Sequence, residues 1–173
     1  AITVTIFGPQ YDIHGGANEL IFPHHTNEIA QAEAATGVKP FVRYWLHSGV
    51  LNIRGEKMSK SLKNFITVRE ALEKHSPEAL RLWIASTHYR KPIDYNDNDL
   101  EVAKKKVERI ESTLVKIKEN LKKAGRKNIV SNKLTRLKKE FLQTMEDDLN
   151  TPLSLTKLFE MLSIVNKQID DGK

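Results

Sequence analysis

From Leu100 onward the apolar residues settle into steps of three and four: Leu100, Ala103, Val107, Ile110, Leu114, Ile117 and Leu121. A stripe of that period, sustained over about six turns, fits a long helix that buries one side. Ala124-Gly125 breaks it. Leu134, Leu137, Phe141 and Met145 then mark a second helix, and Leu155, Leu158, Leu162, Val165 and Ile169 mark a third after Pro152. Short connections make such neighbours antiparallel, so residues 97–173 are expected to form an α-helical bundle. The last stripe ends close to Lys173 and the first residues start abruptly at Ala1, so both edges read as cuts within a longer protein.

The first hundred residues have a different texture. Ala1 to Phe7 is β-branched and has strand propensity. After the break at Gly8-Pro9, Tyr11 to His14 reads as a short strand that runs into Gly15-Gly16, a pair that suits either an ordinary turn or a close backbone approach to a ligand. Pro23 opens a helix that continues through Glu28, Ile29, Ala32 and Ala35 to Thr36, and Gly37 stops it. Phe41 to His47 is aromatic and β-branched, a strand or a buried helix-to-strand segment, and Ser48 to Ile53 keeps strand character. Thr67 and Glu70 have capping-box spacing, and Ser76-Pro77 opens a helix expected to carry Leu80, Trp83 and Ile84 inward. The predicted class is therefore α/β turning to mostly α. Three segments are expected: 1–50 with the strand and helix pattern, 51–96 as a connecting piece, and 97–173 as the bundle.

With 173 residues, 39% of them hydrophobic, the chain can bury a core of one medium or two small domains. No apolar run is long enough to span a bilayer and no leader precedes the first residues, so a cytoplasmic protein without a membrane is expected. Cysteine is absent, which excludes a disulfide framework and any thiolate metal site built from this chain alone. The net charge of +6 is uneven: Glu101 to Lys139 holds fourteen Lys and Arg against four acidic residues. Solvated lysine faces and a polyanionic partner both account for that excess.

Three groups of residues carry candidate chemistry. Lys57-Met58-Ser59-Lys60-Ser61 sets two ammonium groups and two hydroxyls in one short loop beside Gly55, which is either a solvated basic loop or a mobile clamp for a polyphosphate. His24 and Glu28, at i and i+4 on a helix, are either a surface pair or two ligands to one metal ion; His25 points about 100° away. His47 is either a core histidine or a group that reaches the same pocket as His14.

In their order and spacing, Asp12-Ile13-His14-Gly15-Gly16, Phe22-Pro23-His24-His25, Asn27-Glu28-Ile29-Ala30-Gln31, Tyr44-Trp45-Leu46-His47-Ser48-Gly49 and Lys57-Met58-Ser59-Lys60-Ser61-Leu62 resemble the cysteinyl-tRNA synthetase family. The resemblance is strong over about the first hundred residues. It is weaker beyond, through His88-Tyr89-Arg90 and Asp147 to Pro152. It implies the carboxyl-side part of a Rossmann-like class I catalytic domain followed by the bundle, in an enzyme that activates cysteine with ATP and Mg²⁺ and transfers it to tRNA(Cys). It further implies His24 and Glu28 as zinc ligands, with the remaining ligands in a missing amino-terminal half, and His14 and His47 around them. Lys57 and Lys60 become the catalytic lysines that neutralise the leaving pyrophosphate, and Gly15, Gly16, Glu19, Ser59 and Lys60 line the nucleotide.

Some positions depart from the family pattern: Glu19 where Asp is usual, Thr26 where Glu is common, and Lys63 where Gly follows the signature loop. The likeness also makes Ala1 to Phe7 the tail of a helix, against its strand propensity. Two other functions remain open at this point: a ligase joining cysteine to an amino sugar in thiol biosynthesis, and an RNA-binding or packing module without activity of its own.

Overall fold

A computed structural model describes residues 2–59, 61–62, 64–124 and 131–171. The chain divides into two compact units, Ala1–Met58 with Tyr89–Asp94, and Ser59–His88 with Tyr95–Lys173. The segment 51–96 is thus shared between both units.

The first unit begins with helix α1, Ile2–Phe7, as the family resemblance implies and against the β-branched propensity of its residues. Strands β1, Tyr11–Ala17, and β2, Val42–Ser48, pair in parallel with Tyr11 opposite Val42 and Gly16 opposite His47. A parallel pair needs a crossover, and helix α2, Thr26–Thr36, supplies it. Gly37 ends α2 with φ +71, a left-handed stop open to glycine at no steric cost. Ala32, Phe41 and Val42 form the buried centre, with Val4, Tyr11, Ile29 and Trp45 packed around it.

Two sequence expectations change here. Gly15-Gly16 makes no turn; both glycines continue β1. A Cβ on Gly16 would stand 2.6 Å from Cε1 of His25, so the position is bare because a buried ring lies against it. Gly55 does not loosen a basic loop. Arg54 and Gly55, at φ +56 and +78, form the two-residue turn between β3, Leu51–Ile53, and β4, Glu56–Lys57, and the Gly55 N–H donates to the Asp94 carboxylate at 3.1 Å. Lys57 therefore sits on a strand.

The second unit is helical: α3, Val68–Lys74; α4, Pro77–Ala85; α5, Asp97–Ala124; α6, Asn132–Glu146; and α7, Thr151–Asp170. Strand β5, Ile93–Tyr95, spans the boundary between the units and pairs with β3. The expected capping box is present, with the Thr67 hydroxyl accepting from the Glu70 N–H and the Glu70 carboxylate accepting from the Thr67 N–H. Helix α5 packs against α4 and α7, and α6 against α7. The buried line on α5 runs through Leu100, Ala103 and Thr113, whereas Leu114 and Leu121 are 47% and 45% exposed. An α-helix turns 3.6 residues per turn, so a strict alternation of three and four drifts away from a fixed neighbour. By Thr113 a polar residue has rotated inward, and Asn166 on α7 donates to its hydroxyl at 2.8 Å. On α4 the same geometry turns Ala79 and Trp83 inward and leaves Ile84 57% exposed, not buried as its apolar character suggests.

The start of α5 carries a hydrogen-bonded trio. Buried His75 donates to Asp97 at 3.2 Å, and the Tyr95 hydroxyl donates to the same carboxylate oxygen at 3.2 Å. The His75 hydrogen bond is the main reason the Asp97 carboxyl titrates below its ordinary value of 3.8.

Replacing Gly16 by Ala is expected to lower unfolding stability by about 1–3 kcal/mol, since the added methyl must displace a buried ring; an unchanged urea midpoint would refute that packing role. Asp97→Asn should cost at most about 1 kcal/mol at neutral pH, because the Asp97 side chain is largely exposed and screened. A lowered native pKa gives stability that is present above 3.8 and is lost as pH falls through the lowered value. The two proteins should therefore converge in unfolding free energy toward about pH 2. A gap that stayed constant on acidification would refute this account.

Candidate metal and nucleotide site

Side chains two apart on a strand share a face, so His14 and Gly16 of β1 stand beside Trp45 and His47 of β2 through the register that pairs His14 with Trp45. The rings stack accordingly. His14 lies on Trp45 at 4.8 Å between centroids and 18° between planes, and Trp45 runs parallel to His47 at 6.0 Å. The fourth ring comes from the crossover. Residues Ile21–His25 make a kinked helical entry, broken at Phe22, which is extended at φ −134 and ψ 134, before α2 begins at Thr26. His25 itself is helical, at φ −66 and ψ −34, and its ring enters the pocket. His25 is 3% exposed, 4.8 Å from both His14 and Trp45, and one of its nitrogens, Nδ1, is 2.8 Å from His47 Nε2.

Glu28, on the first turn of α2, faces this cluster. Its Oε2 lies 3.7 Å from His14 Nε2 and its Oε1 lies 3.8 Å from His24 Nε2. Oε2 is buried and has no hydrogen-bond partner among the described residues. A buried carboxylate oxygen left that way is costly unless a cation or donor meets it. Ligand atoms of His14, His25 and Glu28 all lie within 4.8 Å of one another, a spacing that can hold a metal ion. His24 is the outlying member, its side chain 59% exposed and without a hydrogen bond among the described residues.

The protonation pattern follows from burial and neighbours. Burial raises the Tyr11 hydroxyl above its ordinary value, and the Glu28 charge adds to this. Tyr11 is therefore a phenol, and its hydroxyl shares a hydrogen bond of 2.5 Å with His14 Nδ1. Burial lowers His25, and the neighbouring His14 and His47 lower it further, so His25 is a neutral imidazole. A neutral imidazole keeps a lone pair for a metal or a hydrogen bond.

The residues read as nucleotide-lining are distributed as follows. Glu19 lies in the short turn after β1, and Lys57 Nζ donates to its carboxylate at 2.5 Å, tying β4 to the end of β1. Gly15 meets only the Leu46 carbonyl, 3.8 Å from an added Cβ. Ser59 opens the second unit in a self-contained turn: its N–H donates to Asn64 Oδ1 at 2.9 Å, and its hydroxyl is 3.1 Å from that of Ser61 and accepts from the Leu62 N–H. Lys60 lies outside the described residues.

Sequence spacing brought out His14, His24, Glu28 and His47 but missed the parts of Tyr11, His25 and Trp45. The available signal was the two-residue alternation shared by His14-Gly15-Gly16 and Trp45-Leu46-His47, which puts both pairs on one face once the strands are taken as parallel.

Residues 1–105 match the model of the tRNA synthetases class I (C) catalytic domain, and residues 140–173 match the DALR domain. The chain is 44% identical over 179 residues to a protein of Geobacter metallireducens named cysteine–tRNA ligase, covering all of this chain and 37% of that protein. It is equally 44% identical to a cysteine–tRNA ligase of Carboxydothermus hydrogenoformans, over 99% of this chain and 37% of the relative. The chain thus spans about 37% of the length of these curated relatives. Among solved structures, LeuRS of Agrobacterium radiobacter K84, in a ternary complex with tRNA and LeuAMS, superposes with a TM-score of 0.72 at 14% identity, over 92% of this chain and 22% of that one. A likeness at that identity speaks to fold alone, and the fold is that of a class I synthetase. With a catalytic-domain match over more than half its residues, the chain belongs to the class I (C) tRNA synthetase family.

Proposed function

We propose that this chain is part of a cytoplasmic cysteine–tRNA ligase, which activates cysteine with ATP and Mg²⁺ and transfers it to tRNA(Cys). The observation that carries the reading is the Glu28 carboxylate, half surrounded by imidazoles, with one oxygen buried and without a hydrogen-bond partner among the described residues. The name shared by the relatives supports it. A ligase that joins cysteine to an amino sugar has no evident use for the long Lys-rich bundle, so the tRNA reading is preferred.

The nitrogen and carboxylate donors fit zinc. His24 and Glu28 are the proposed ligands from this chain. His24 has no competing hydrogen bond among the described residues, whereas His14 and His25 are engaged by Tyr11 and His47 and serve to fix the ligands. No cysteine occurs in the chain, so the remaining donors are assigned to the amino-terminal part of such a ligase. When bound, zinc would supply a site for the substrate thiolate, separating cysteine from serine, whose hydroxyl does not ionise.

In the reaction proposed, the cysteine carboxylate oxygen attacks the α-phosphorus of ATP and the bond to pyrophosphate breaks. A terminal ribose hydroxyl of tRNA then attacks the adenylate carbonyl and AMP departs. Lys57, with Lys60, neutralises charge that builds on the departing pyrophosphate, an electrostatic role that needs no covalent step. Glu19 orients the Lys57 ammonium through their ion pair, and Gly15 keeps the end of β1 free of a side chain for the nucleotide, whereas the space beside Gly16 is taken by the His25 ring. In the proposed division, residues 1–50 contribute half the metal site, 51–96 carry the signature loop, and 97–173 support the tRNA.

The test is cysteine-dependent ATP–pyrophosphate exchange by the full-length protein, with serine as control. Cysteine-only exchange is expected, and its absence would overturn the ligase reading. Lys57→Ala should lower the exchange rate about a hundredfold while leaving cysteine binding nearly unchanged. Metal analysis supplies an independent readout. Glu28→Gln and His24→Ala should each strip the purified protein of most of its zinc, and full zinc occupancy in both variants would refute their assignment as ligands.

A further inference from the structure

The second unit holds a cleft of about 600 Å³ that the chemistry above does not use, lined by Ser86 at the end of α4, Lys106 and Arg109 on α5, and Thr156, Phe159 and Ser163 among the residues of α7. That volume lies within the usual range for ligand sites. We infer that this cleft holds a ribose–phosphate unit of the RNA backbone, an inference that rests on tRNA being the partner proposed above.

Two features of the cleft point to that ligand. The first is its cations. Arg109 is held in place: its Nη2 donates to Ser163 Oγ at 2.6 Å and its guanidinium carbon lies 5.6 Å from the centre of the Phe159 ring. That contact occupies one of the five N–H groups of a guanidinium, and among the described residues no carboxylate meets Arg109 or Lys106 within ion-pair distance. Glu160, also on the lining, lies 3.8 Å from Lys157, so the acid in the cleft is compensated and the cations are not. An anion fits there, and Arg presents a fork that matches phosphate oxygens.

The second feature is the hydroxyls. Ser86 Oγ donates to the Leu82 carbonyl at 2.7 Å, Thr156 Oγ1 to Pro152 at 3.1 Å, and Ser163 Oγ to Phe159 at 2.8 Å. Each hydroxyl has a single hydrogen, and each spends it on its own helix; Ser163 already accepts from Arg109, so the oxygens of Ser86 and Thr156 are the acceptors left for a ligand among the described residues. A bare phosphate has no hydrogen to offer them. A ribose 2′-hydroxyl does, which makes the site one for RNA rather than DNA.

The experiment uses the full-length protein, with equilibrium binding of its tRNA and of a variant tRNA carrying 2′-deoxy sugars, alongside cysteine-dependent ATP–pyrophosphate exchange. Lys106→Gln combined with Arg109→Gln should weaken tRNA binding about tenfold and flatten the dependence of log affinity on log salt by about 1.4–1.8, while exchange stays at the wild-type rate. Thr156→Val keeps shape and removes an acceptor, and should shrink the preference for RNA over the deoxy variant at least about twofold. Unchanged tRNA affinity in the double variant overturns the site, as it would if the cleft served a protein partner; an unchanged RNA preference in Thr156→Val overturns the ribose contact. Wild-type protein without cysteine-dependent exchange would fail the ligase reading instead; wild-type protein that exchanges but binds no tRNA would fail the transfer to tRNA and this inference with it, and wild-type tRNA binding that the double variant leaves unchanged would fail this inference alone.

Discussion

The ring of His25 lies against the bare Cα of Gly16, and the first unit's chemistry is arranged around that contact. Only glycine lets an imidazole approach a strand so closely, and the imidazole comes from the helical entry to α2 that follows the kink at Phe22. Once seated, His25 fills the space between His14 and Trp45 and reaches His47, so four rings from two strands and a crossover become one packed group. Glu28 is then one turn further along α2, close to His14 on one side and His24 on the other. The parallel register, the kinked entry to α2 and the glycine are separate features of local structure with a joint result: a carboxylate oxygen kept from water beside imidazole nitrogens.

How much of this is legible in the sequence depends on whether the signal is local. The helix stripes, the Thr67 capping box, the Gly37 stop and the spacing of His24 and Glu28 are set by residues within a few positions, and they read directly. The α1 residues read wrongly from propensity because β-branched side chains tolerate a helix when its surroundings favour one; the cost per residue is only a few tenths of a kcal/mol. Gly15-Gly16 misleads for a different reason. A turn and a crowded strand both demand glycine, and what crowds Gly16 is nine residues away in sequence. The same holds for His25, whose burial depends on His14 and Trp45 from two other segments, something no periodic pattern carries.

The bundle makes the complementary point. Its stripe predicted the helices well but not which residues face inward over the whole length of α5. Thr113 is buried and Leu114 is not, and Asn166 meets the Thr113 hydroxyl across from α7. A buried polar pair of this kind contributes little net stability, yet leaving either partner alone is costly, so it pins the two helices at one register. That register sets Arg109 against Ser163 and Phe159, one turn before Thr113 on the same helix.

Charge pairing separates the groups that shape the protein from those that face a ligand. Arg136 and Lys157 both bind Glu140, and Lys116 binds Asp170; these pairs are compensated within the bundle, the Lys157–Glu140 pair half-buried and the Lys116–Asp170 pair exposed and screened. Glu28 stands at the other extreme, its Oε2 buried and without a hydrogen-bond partner among the described residues. Desolvation without compensation is a cost that folding alone gives no reason to keep, since a neutral side chain of similar size would avoid it. The cost is recovered only when something positive arrives. Lys57 lies between these cases: half-exposed, it is held by Glu19 through a contact weak enough in water to yield to a polyphosphate, which carries more charge than one carboxylate. In the function proposed, the gradation from compensated to exchangeable to uncompensated charge would run from scaffold to substrate to metal.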